Sequence, residues 1–132
     1  MQSNPAILVV DDEETVRNVA REILKTGGYE ALAAGTEETA VALLRENRDA
    51  IELVLLDAGM MQSRNRNIVA SLLEISPEVV IVVSSGCAAE DALRQFGPGR
   101  APGFLQKPYT ASCLRDAVGL ALRDRTISCS PD

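Results

Sequence analysis

Leu53-Val54-Leu55-Leu56-Asp57-Ala58-Gly59-Met60 is an apolar run that ends abruptly on a carboxylate and then a glycine. Consecutive apolar residues with turn chemistry just beyond them read as a strand covered on both faces, the pattern of a parallel sheet flanked by helices. That reading places Asp57 at the carboxyl end of the strand. In open α/β sheets this edge is where ligands bind. What else the chain brings to it decides its chemistry.

Taken in order, Ala6 to Val10 is another buried-strand pattern, and it stops on Asp11-Asp12. From Glu13 to Lys25 the apolar residues Val16, Val19, Ala20, Ile23 and Leu24 fall on one helical face, and Gly27-Gly28 ends the helix. Tyr29 to Ala34 is a weaker strand; Thr36 then caps a helix to about Glu46, with Leu43 and Leu44 inward. The organising strand, Ile51 to Leu56, follows. Ile68, Val69, Leu72, Leu73 and Ile75 form the apolar face of a third helix, ended by Ser76-Pro77. Val79 to Val83 is the fourth strand and closes on Ser84-Ser85-Gly86, and Ala88 to Phe96 is a short helix with little apolar surface. Gly103 to Gln106 is the fifth strand, running into Lys107-Pro108. Thr110 caps a last helix whose Leu114, Ala117, Val118, Ala121 and Leu122 face the core.

Strands and helices alternate throughout, which predicts an α/β fold: a flavodoxin-like, doubly wound, five-stranded parallel sheet in the order 2-1-3-4-5 with five helices. With 132 residues the chain is expected to be a single domain. Its core should run from about residue 6 to 125, with 1–5 and 126–132 as flexible tails and no effector domain after the last helix.

In the predicted order, strand order reverses between the first and third strands. Their carboxyl ends carry Asp11, Asp12 and Asp57, so three carboxylates should meet in the crevice between them. Two such charges at ~4 Å repel by about 4 kcal/mol at an effective dielectric near 20. A cation is needed to hold them together. The chain has no histidine, which excludes imidazole bases and imidazole metal ligands, and an oxygen-only ligand set favours a hard dication, Mg²⁺. The fourth and fifth strands also end in chemistry, Ser84 after Val83 and Lys107 after Gln106. A hydroxyl and an ammonium beside a carboxylate are what the oxygens of a phosphoryl group on that carboxylate would require.

Composition narrows the partners. A net charge of −6 and a pI near 4.7 argue against charge-driven binding to nucleic acid or to an anionic membrane. Apolar runs are too short to span a bilayer and the amino terminus lacks a signal pattern, so membrane insertion is not expected and the chain reads as cytoplasmic. Cys87, Cys113 and Cys129 form no CxxC pair and read as ordinary reduced thiols.

With these residues in register, the chain resembles the CheY-like response-regulator receiver domain of two-component signalling. The resemblance rests on Asp11-Asp12 after the first strand, Asp57 after the third, Ser84-Ser85 after the fourth, and Phe104-Leu105-Gln106-Lys107-Pro108. It implies that Asp57 is the phospho-acceptor, that Asp12 binds Mg²⁺ directly and Asp11 through water, and that the carbonyl of Gly59 is a further metal ligand. It also implies that Ser84 and Lys107 contact the phosphoryl group and that Phe104 is the aromatic switch. The expected donor is a sensor histidine kinase or a histidine phosphotransfer protein, and the resemblance adds a second copy of the chain, in a phosphorylation-linked dimer, to the partners to be tested. The Phe-Leu-Gln-Lys-Pro form looks like that of receivers attached to hybrid sensor histidine kinases.

The chain departs from the family pattern after Met60, where Met61 replaces proline and Arg64-Asn65 replaces an acid or amide followed by glycine. That departure favours a second reading, a degenerate receiver that binds a partner without being phosphorylated; the retained acids, serine and lysine oppose it. A dehalogenase-like phosphatase would need an acid two residues after its aspartate nucleophile, where Gly59 stands. A flavodoxin-like cofactor binder is opposed by Asp11-Asp12-Glu13-Glu14, which would repel a phosphate. Two further expectations follow: a cis Lys107-Pro108 bond that aims the lysine into the crevice, and slow loss of the phosphoryl group, because Gly59 and Gly86 offer no side chain to orient water.

Overall fold

The computed structural model describes residues 5–62, 68–85, 103–107 and 109–129, with the backbone alone for 61, 62, 103, 104 and 124–129. Strand β1 (Ala6–Val10) is buried along its whole length, and a strand with no polar face can lie only at the centre of a covered sheet. The observed order is β2-β1-β3-β4-β5. All four pairings are parallel. Beside β1 lies β3 (Ile51–Asp57), then β4 (Val80–Ser85) and the edge strand β5 (Gly103–Gln106). On the other side β2 (Glu30–Ala34) forms the opposite edge, and its exposed Glu30 and half-buried middle suit that position.

Side chains alternate across the central strands and so build two apolar layers. Leu8, Val10, Val54, Leu56 and Val83 pack against Ala40 and Leu44 of α2 (Glu37–Glu46) and Ile68 and Leu72 of α3 (Ile68–Ile75). On the other face Ile7, Val9, Leu53, Leu55 and Val82 pack against Ala20 and Leu24 of α1 (Glu14–Thr26) and Leu114 and Val118 of α4 (Ala111–Cys129). Thr36 and Thr110 cap their helices as expected, accepting from the amides of Thr39 and Cys113, each at 3.1 Å. No helix among the described residues is long and apolar enough to cross a membrane.

The structure corrects the sequence reading in several places. Val19 is not inward: it is 51% exposed. At about 100° per residue, the stripe set by Ala20 and Leu24 lies about 40° from Arg17 and about 120° from Val19, so the helix turns an arginine toward the sheet and a valine toward solvent. Strand β4 continues through Ser84 and Ser85, which pair with Leu105 and Gln106, because a hydroxyl side chain does not interrupt a backbone ladder. Helix α4 runs to Cys129, past the expected end at Arg125; its apolar stripe stops earlier, but intrahelical hydrogen bonding needs no apolar face to continue. A 3₁₀ turn over Ala58–Gln62 follows β3 directly. The expected helix from Ala88 to Phe96, the substitutions Arg64 and Asn65, Gly86 and the Lys107-Pro108 bond lie outside the described residues.

Candidate functional site

The order reverses between β1 and β3, and their register brings the two strand ends level: Val10 pairs with Leu56, so Asp11 and Asp57 stand one residue further on, side by side. Asp57 in turn pairs with Ser84, which is 2% exposed. The pairing of Ser85 with Gln106 carries the chain to Lys107, whose amide donates to the Ser85 carbonyl at 2.8 Å. Four separate strands thus deliver Asp11, Asp57, Ser84 and Lys107 to one end of the sheet.

Every polar group of Asp11 is engaged. Its amide donates to the Ala34 carbonyl at 3.1 Å, and its carbonyl accepts from Arg17 Nη1 at 3.0 Å. Its carboxylate accepts from the Glu13 amide through Oδ1 at 2.9 Å and from Lys107 Nζ through Oδ2 at 3.0 Å. This partnering explains how a carboxylate only 3% exposed is tolerated. Asp57 accepts from Lys107 Nζ through Oδ1 at 2.6 Å and from the Gly59 amide through Oδ2 at 3.2 Å. Lys107 therefore bridges the buried Asp11 and the part-buried Asp57. Burial alone would lower its pKa, but the hydrogen bonds to Asp57 and Asp11 and the charges of both outweigh it and hold the ammonium above its ordinary value. At neutral pH Lys107 is charged.

Asp12 completes the group from the exposed side: carboxylate oxygens of Asp11, Asp12 and Asp57 lie within 4.8 Å of one another. Ionised, the three acids carry three negative charges against the single positive charge of Lys107, a formal deficit of two positive charges. The donors are all oxygens, so the set fits a hard dication that keeps some of its water.

The residues singled out in the sequence are thus brought together for Asp11, Asp12, Asp57 and Lys107, with Ser84 beside Asp57 in the sheet. Gly59 is adjacent too, although the contact the structure shows is from its amide to Asp57 and not from its carbonyl. Phe104 pairs with Val83 through the backbone. The sequence reading missed Arg17, whose sign in the sequence was its place near Ala20 and Leu24 on the inward stripe of α1. It also missed Tyr109, a half-buried side chain against the α1 and α4 layer whose phenol is held above its ordinary pKa by burial.

Comparison with known proteins agrees with this geometry. The family model of the response regulator receiver domain matches residues 7–119. The autoinducer 1 sensor kinase/phosphatase LuxN of Vibrio harveyi is 31% identical over 128 residues, which is 95% of this chain and 14% of that protein. The KDP operon transcriptional regulatory protein KdpE of Escherichia coli (strain K12) is 27% identical over 126 residues, covering 96% of this chain and 55% of that protein. The chain thus spans about half, or much less, of the length of these relatives. Among solved structures, a response regulator receiver domain protein from Clostridium thermocellum superposes with a TM-score of 0.80 at 26% identity, covering 93% of this chain and 98% of the other. A family match over most of the chain, which includes the strand ends that carry the acids and the lysine, makes this chain a member of the response regulator receiver domain family of two-component signalling.

Proposed function

We propose that Asp57 accepts a phosphoryl group from a phosphohistidine of a sensor histidine kinase or a histidine phosphotransfer protein, in a reaction that requires Mg²⁺. The observation that carries this reading is the bridge from Lys107 to Asp57 at 2.6 Å and to Asp11 at 3.0 Å, at the end of the sheet where a third acid also stands. A carboxylate oxygen of Asp57 attacks phosphorus. The O–P bond forms as the P–N bond breaks, and the imidazole leaves with the electron pair of that bond. The product is an acyl phosphate on Asp57.

Lys107 is the group best placed to follow the charge. While Asp57 is free, the ammonium is shared between two carboxylates; once Asp57 is esterified, that carboxylate charge moves outward onto phosphoryl oxygens, and the ammonium follows it. Ser84 supplies a hydroxyl donor from the neighbouring strand, and its engagement is what would couple phosphorylation to a shift of the β4 end and of Phe104 beside it. Asp11, Asp12, Asp57 and the Gly59 carbonyl would hold Mg²⁺, which when bound offsets the residual negative charge of the site and lets an anionic donor approach. The chain acts as an acceptor and relay, not as a hydrolase: Gly59 leaves no acid two residues after the nucleophile to activate water.

The test is incubation with acetyl phosphate or phosphoramidate, followed by intact-mass spectrometry. Wild type should gain one phosphoryl group with Mg²⁺ and none in chelator, and Asp57→Asn should gain none under either condition. A folded wild-type chain that never gains the group would instead favour the degenerate, phosphorylation-independent binder.

A further inference from the structure

Arg17 reaches the acidic corner through its backbone. Its Nη1 donates to the carbonyl of Asp11 at 3.0 Å, while the amide of Asp11 donates to the Ala34 carbonyl at 3.1 Å. The guanidinium can lie there only because the next residue after Ala34 has no side chain. A Cβ on Gly35 would stand 2.6 Å from Arg17 Nη1, closer than such atoms approach, and a tight 3.2 Å from its Cζ. The backbone of Gly35 does not have positive φ, so space and not torsion demands the glycine. The end of β2 therefore holds the Asp11 backbone on both sides, its amide directly through Ala34 and its carbonyl indirectly through an arginine seated over Gly35.

We propose that Arg17 and Gly35 form a positioning pair that fixes the Asp11-Asp12 corner for cation binding. The inference rests on the reading of the three acids as a Mg²⁺ site. The peptide that Arg17 holds is the one linking Asp11 to Asp12, and the side chains of both residues take their direction from it. Asp11 is further tied by Glu13 and Lys107, but Asp12 is exposed, and its orientation depends on that peptide. Groups that orient ligands without touching the metal commonly change affinity by about tenfold or more when lost.

Charge and position predict opposite signs, which makes the idea testable. Arg17 as a mere neighbouring cation repels Mg²⁺, and its removal would tighten binding. Arg17 as a positioning residue helps, and its removal weakens binding.

The experiment is calorimetric titration of the full chain with Mg²⁺ alone, no phosphoryl donor present, for wild type, Arg17→Ala, Arg17→Lys, Gly35→Ala and the Arg17→Ala/Gly35→Ala double variant. Arg17→Ala should weaken binding by about tenfold, with partial rescue in Arg17→Lys. Gly35→Ala should weaken it as well, and the double variant should be no worse than Arg17→Ala, because the added methyl has nothing left to displace. Unchanged or tighter binding in Arg17→Ala, or additive losses in the double variant, would overturn the inference. A wild-type chain that binds no Mg²⁺ would overturn the reading of the site and this inference with it. If Gly35→Ala does not fold, the sign of the Arg17→Ala effect and the rescue by lysine still decide.

Discussion

Gly59 shows how much a missing side chain can decide at the residue scale. Its amide donates to Asp57 Oδ2 at 3.2 Å, and a Cβ in its place would stand 2.9 Å from that same oxygen. Any other residue must push the carboxylate of the proposed acceptor aside. Gly59→Asn therefore does two things: it supplies an amide that can orient water, and it crowds Asp57. Gly59→Ala crowds without supplying the amide. Both variants are expected to gain phosphate from acetyl phosphate more slowly than wild type. Once phosphorylated, Gly59→Asn should lose the group faster than Gly59→Ala, as read from decay of the acyl phosphate after donor removal at constant Mg²⁺. Equal decay rates would show that water positioning does not limit hydrolysis. The acids and Lys107 were legible in the sequence because each closes an apolar run, and chemistry at a strand end is written as adjacency. Arg17 and Gly35 were not, because their relation is a distance between two corners of the fold, 18 positions apart in numbering, and no local pattern encodes it.

Elements were legible where one periodicity dominated. The fully buried β1 and β3 appear as continuous apolar runs, and α2 carries its cap in Thr36. The rotation of α1 was not legible, because five apolar residues spread over about 140° of the helix circumference form a stripe wide enough to allow more than one inward direction. The choice falls to Arg17, whose hydrogen bond to the Asp11 carbonyl places that side of the helix against the sheet. The difference is measurable by chemical denaturation. Leu8→Ala removes a side chain that is fully buried on β1 and should cost about 2–5 kcal/mol. Val19→Ala, at a position assigned inward by pattern but 51% exposed, should stay within about 0.5 kcal/mol of wild type. A loss at Val19 as large as that at Leu8 would restore the original orientation of the helix.

At the scale of the whole molecule, topology creates an electrostatic problem and sets its solution. A sheet in the order 2-1-3-4-5 brings the ends of β1 and β3 together, and in a chain of net charge −6 those ends carry three acids whose oxygens lie within 4.8 Å of one another. Lys107 relieves part of the repulsion, but it joins Asp11 and Asp57 and so leaves Asp12 as the charge added from the exposed side. Folding gathers these charges and unfolding disperses them, so without a dication the site opposes stability. Asp12→Asn should therefore raise the thermal midpoint in chelator, since it removes one of the crowded charges and leaves the Lys107 bridge intact. Mg²⁺ should act in the opposite sense. A ligand at one hundred times its Kd stabilises by about 2.7 kcal/mol, roughly 10 °C for a domain of this size, and only wild type should gain most of that shift. The two melting curves are thus expected to exchange order, the variant melting higher in chelator and wild type melting higher at saturating Mg²⁺. Midpoints that keep the same order under both conditions would show that Asp12 is not part of the cation site, however close its carboxylate stands to the other two.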